Sequence, residues 1–90
     1  MGIVAVIVKI MPTSPKVDLE AIKKSSKNVL ESEGAKNISF EEKEIAFGLK
    51  AVLVKFAWPE EKDTGLIENR LSGIDQVSSV LIEDYRRAFG

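Results

Sequence analysis

The residues of this 90-residue chain that could do chemistry are carboxylates and arginines. Glu41, Glu42 and Glu44 crowd one segment, Glu60 and Glu61 another, and Arg86 and Arg87 stand side by side near the end. Neighbouring carboxylates can trade protons or hold hard cations, but these two groups fall in segments that read as an edge strand and a turn. Acidic runs in such places are solvated surface, and no chemistry is assigned to them. Cysteine and histidine are both absent. That removes thiol nucleophiles, disulfides, thiolate and imidazole metal sites, and the commonest general base at neutral pH. Neither G-x-x-x-x-G-K-[ST] nor G-x-G-x-x-G occurs, so the chain has no phosphate-cradling loop. The expectation is a protein without covalent chemistry, metal site or cofactor of its own.

Arg86 and Arg87 admit two readings. A basic pair near a C-terminus can be a solvated tail; it can also present a permanently charged fork to acidic groups or phosphates on another molecule. The net charge of -1 supplies no general basic field, and no local patch is evident, which argues against nucleic acid as a partner. The apolar run "IVAVIV" is only six residues long and is followed by Lys9, too short for a membrane span and without the flanks of a signal peptide. "NIS" at residues 37–39 matches a glycosylation sequon but has no secretory signal to give it meaning. A cytoplasmic protein is expected.

The elements that must position these residues follow from periodicity. Residues 3–11, "IVAVIVKIM", form a β-branched run closed by Pro12, as in a central strand. Asp18 can cap a helix with apolar Leu19, Ile22, Val29 and Leu30 at 3.6-residue spacing, ended by Gly34. Ile38 and Phe40 alternate with polar neighbours ahead of the charged stretch 41–44, which suits an edge strand. Residues 49–58 read as a long strand stopped by Pro59, joined to the previous one as a hairpin. Asp63 or Thr64 can cap a short helix carrying Leu66, Ile67 and Leu71, stopped at Ser72 and Gly73. Residues 76–85 supply a last strand, leaving "RRAFG" as a basic tail.

This βαββαβ order, with right-handed crossovers, predicts one α+β domain over residues 1–90, a ferredoxin-like sandwich with four antiparallel strands and both helices on one face. Both faces of the first and third strands are apolar, which is explained either by shielding from long neighbours or by a docked partner. RNA-recognition domains share this order and carry glycine and aromatics on the third strand, but after Phe47 the chain runs Gly48, Leu49, Lys50, Ala51, Val52, with no stacking platform. A lone aromatic before glycine is by default a buried turn residue.

Three segments together resemble the archaeal translation elongation factor 1-beta family: "IVKIMPTSPKVDLEAI" (7–22), "EIAFGLKAVLV" (44–54) and "LSGIDQVSSVLIEDYRR" (71–87). The intervening segments carry little pattern. The resemblance implies the same sandwich and a guanine-nucleotide exchange factor for elongation factor 1-alpha, a GTPase that itself holds the GDP or GTP and the magnesium ion. It implies that Phe47 and Gly48, with Lys50 nearby, form an anchor on the second domain of that partner. It also brings Arg87, beside Arg86, to the position from which eukaryotic relatives insert a lysine into the magnesium and phosphate region. The sequence departs there, because arginine stands in place of lysine and Ala88, Phe89 and Gly90 follow. The alternatives are an ACT-like small-molecule module or an RNA-binding domain of the same topology.

Overall fold

Branched side chains sit comfortably on a pleated, half-buried surface, and the longest branched runs become the two central strands. Strand β1 (Ile3–Pro12) pairs antiparallel with β3 (Leu49–Pro59), placing Val4 opposite Trp58 and Val8 opposite Val54. Strand β2 (Lys36–Ala46) lies outside β3 and β4 (Val77–Phe89) outside β1, so the sheet order is β2-β3-β1-β4. Helix α1 (Leu19–Ser32) links β1 to β2, and α2 (Gly65–Ser72) links β3 to β4. This is the ferredoxin-like sandwich the order of elements predicts. The computed structural model describes residues 2–89.

Period-two alternation decides which face is core. Val4, Val6, Val8 and Ile10 of β1 and Val52, Val54, Phe56 and Trp58 of β3 are buried, together with Ile22 and Leu30 of α1 and Ile67 and Leu71 of α2. Each such aliphatic side chain contributes about 1.5–3 kcal/mol through burial. The opposite face is only partly shielded: Ile3 remains 51% and Leu81 50% exposed.

The helix ends follow their capping residues. Asp18 accepts a hydrogen bond from the Glu20 amide at 3.0 Å, and Gly34, with φ +96°, turns the chain out of α1. At α2 the bonding carboxylate is that of Asp63, which accepts from the Gly65 amide at 2.8 Å, while Thr64 makes no side-chain cap. The β3–α2 loop is fastened to the end of α1 through Glu33, whose carboxylate meets Lys62 at 3.1 Å and Arg70 at 3.3 Å. Lys62 also donates to the Glu33 carbonyl, and its own carbonyl accepts from the Trp58 indole at 3.3 Å.

One sequence expectation is corrected. The last strand does not stop at Tyr85 to release a basic tail; β4 continues through Phe89, with Arg86 opposite Ala5 and Arg87 opposite Val4. The backbone of β1 is otherwise unpaired on that side, and an edge left open in this way is satisfied by extending the ladder. Register shifts after Ile3, Ile7 and Met11 let β4 bend while keeping its pairing.

Ser26 is fully buried on α1 and its hydroxyl has no hydrogen-bond partner. An unmet buried hydroxyl costs about 1–3 kcal/mol, and alanine is both apolar and the better helix former. Ser26→Ala is therefore expected to stabilise the fold by about 1 kcal/mol, read as a higher midpoint in chemical denaturation with an unchanged slope.

Candidate functional site

The β2–β3 hairpin closes over only two residues, Phe47 and Gly48. Loops this short match the twist of the strands when both central residues take positive φ, and here φ is +52° at Phe47 and +80° at Gly48. Glycine provides that conformation freely. Apart from its two chain neighbours, no heavy atom of the described residues lies within 4 Å of where a Gly48 Cβ would stand, so backbone geometry rather than crowding calls for glycine. Phenylalanine is a poor choice for the other position, where asparagine or aspartate is usual, and a left-handed bulky residue costs roughly 1–2 kcal/mol. The ring receives no packing in return, being 101% exposed. The default reading of a buried turn aromatic is thus overturned: two residues cannot fold the ring back over the sheet they reverse.

Beside the turn is a groove of 280 Å³ whose walls include Pro12, Pro15, Val17, Gly48 and Lys50. The Lys50 ammonium lies 3.9 Å from Glu42, whose other carboxylate oxygen is already held by Lys23 at 2.8 Å. Lys50 therefore keeps reach for another anion. The hydrogen bond donated by Lys23, foremost, holds the Glu42 carboxyl below the usual carboxylate range, and Glu42, then Glu20, hold the Lys23 ammonium above the usual lysine range.

A depressed carboxylate stabilises the fold above its unfolded pKa of 4.5 and loses that contribution as pH falls through the lower folded value. A raised lysine contributes fully below 10.5 and loses its share as pH rises through the higher folded value. Between these limits the pair's contribution is flat. Thermal melts should show Glu42→Gln less acid-sensitive than the parent below pH 4.5, with the difference shrinking in high salt because the groups face solvent.

Arg86 and Arg87 lie at the other end of the sheet, about 30 Å from the turn along nine residues of β3. Arg86 Nε stands 3.0 Å from Asp84, and Arg87 Nε 2.9 Å from Glu60. The fold thus brings Phe47, Gly48 and Lys50 together and the two arginines together, and holds the two groups apart. Sequence reading leaves Glu42 and Glu60 as solvated carboxylates and misses both partnerships. Nothing in local spacing signals them, because each crosses between distant segments. Among the described residues, no group of three or more acidic side chains is arranged to hold a metal ion, and no helix is long and apolar enough to cross a membrane.

The two-layer sandwich thus carries a strained, bare aromatic at one end and a pair of arginines at the other. Residues 5–88 match the family model described as "EF-1 guanine nucleotide exchange domain". Similar curated proteins include elongation factor 1-beta of Methanosphaera stadtmanae, 40% identical over 88 residues covering 97% of this chain and 98% of that one. The Methanothermobacter thermautotrophicus protein of the same name is 42% identical with the same coverage, and that of Methanocaldococcus jannaschii is 41% identical over 89% and 91% of the two chains. The chain belongs to the elongation factor 1-beta family, guanine-nucleotide exchange factors for elongation factor 1-alpha in translation elongation.

Proposed function

We propose that residues 1–90 act as a single exchange unit that speeds GDP release by gripping elongation factor 1-alpha at two separated points. Phe47 enters an apolar pocket on the second domain of the GTPase, and Gly48 lets the two backbones approach. The neighbouring groove takes an adjoining partner segment, with Lys50 meeting an acidic side chain. At the other end, Arg86 and Arg87 approach the magnesium and phosphate region, where added positive charge competes with the metal for its ligands. The magnesium ion leaves, the phosphate loop loosens and GDP departs.

No covalent bond is made or broken in this scheme, and the chain needs no cofactor, nucleic acid or membrane; it works in the cytoplasm. The driving term is linkage: a factor that prefers the nucleotide-free GTPase must weaken nucleotide binding by the same ratio, and incoming GTP expels it reciprocally. The observation that carries this reading is the strained, fully exposed ring of Phe47, which folding alone does not account for. The test is the release of fluorescent GDP from the cognate GTPase with and without this protein. Acceleration at micromolar concentrations supports the reading, and an unchanged rate rejects it.

A further inference from the structure

Glu60 follows β3 and Gly2 precedes β1, and the two continue the ladder between those strands: the Glu60 amide donates to the Gly2 carbonyl at 3.0 Å. The Glu60 carboxylate lies directly over Gly2. A Cβ on Gly2 would stand 3.0 Å from Oε2 and 3.1 Å from Cδ, tighter than most such contacts, so the carboxylate would have to give way by a few tenths of an ångström. Glycine at this position gives the carboxylate its room. Arg87 sits on the far side of β1, in β4, yet its Nε is 2.9 Å from Glu60 Oε2. Strands separated by a third lie about 10 Å apart, so an ion pair between them must pass over the one in the middle. Gly2 leaves that passage open.

We propose that Glu60, admitted by Gly2, is a clasp that sets how readily Arg87 is delivered to an anionic group on the GTPase; the inference rests on the reading of Arg87 as a partner contact. To meet a carboxylate or phosphate on the partner, Arg87 exchanges one anion for another. That exchange lowers affinity, as suits a factor that must dissociate after each round. Arg86 differs in that its carboxylate, Asp84, lies on its own strand and crosses nothing.

The experiment compares Glu60→Gln, Gly2→Ala and Arg87→Ala for binding to nucleotide-free cognate GTPase, with the Arg87 Nε–Hε resonance followed by NMR in the free protein. Glu60→Gln is expected to tighten binding about three- to five-fold, the scale of one exposed ion pair. Gly2→Ala keeps every charge but pushes the carboxylate aside, and it should shift affinity in the same direction. Both should move the Nε–Hε resonance, and neither should change affinity once Arg87 is alanine. Unchanged affinity in Glu60→Gln, where Arg87→Ala does weaken binding, overturns the clasp. So does a gain that persists without Arg87, since it would be a general charge effect. If Arg87→Ala leaves binding and exchange untouched, the partner-contact reading of Arg87 fails and the inference about delivery falls with it, whereas an unmoved resonance in Glu60→Gln removes the clasp alone.

Discussion

Phe47→Asn is expected to make the protein more stable and a worse exchange factor. The left-handed conformation at Phe47 costs a bulky residue roughly 1–2 kcal/mol, whereas asparagine adopts it readily ahead of glycine in a two-residue hairpin. The exposed ring contributes no packing that its removal would forfeit. A gain of about 1 kcal/mol raises the melting temperature of a domain this size by about 4–8 °C. Buried aromatic anchors of interfaces are worth about 2 kcal/mol or more, so the same change should weaken binding to the GTPase about 30-fold. Calorimetry and fluorescent GDP release on one preparation read both effects. A stabilised variant with undiminished exchange would remove Phe47 from the interface, and a destabilised one would contradict the strain argument.

The second large effect is expected from replacing Arg86 and Arg87 together by alanine. Among the described residues Arg86 makes an exposed ion pair with Asp84 and Arg87 one with Glu60, and such pairs are worth about 0–1 kcal/mol. The strand itself is held by its ladder to β1, which alanine preserves. A charge-assisted contact to an acidic or phosphate group on a partner is worth about 1.5–3 kcal/mol, so even one lost contact should slow exchange about 10- to 100-fold. Raising the salt concentration should narrow the gap between parent and variant. Exchange at the parental rate, with the fold intact, would show that the cations take no part.

The pattern of what could be read from sequence is physical. Pro12 and Pro59 end the central strands and Asp18 and Gly34 bracket α1, because each acts through its own backbone or through neighbours one turn away. The last strand was legible only as far as Tyr85. Arg86 and Arg87 have no local preference for extended structure; they are drawn into β4 by the open edge of β1 far away in sequence. The same limit hides the Glu60–Arg87 pair and the passage at Gly2. Phe47 fails for a different reason. Its apolar character predicts burial, while the two-residue loop that forbids burial becomes visible only when β2 is seen to extend to Ala46 and β3 to begin at Leu49. The residue at odds with its local conformation is the one with the clearest functional claim, as expected where a sequence accepts strain for a purpose.

The most direct test is equilibrium binding of this protein to its GTPase in two states, emptied of nucleotide and loaded with magnesium and GDP. The account predicts a preference for the empty form of at least about 100-fold, a coupling of about 3 kcal/mol that GDP affinity must lose in return. Equal affinity for the two forms would contradict it, because a partner indifferent to the nucleotide cannot hasten its departure.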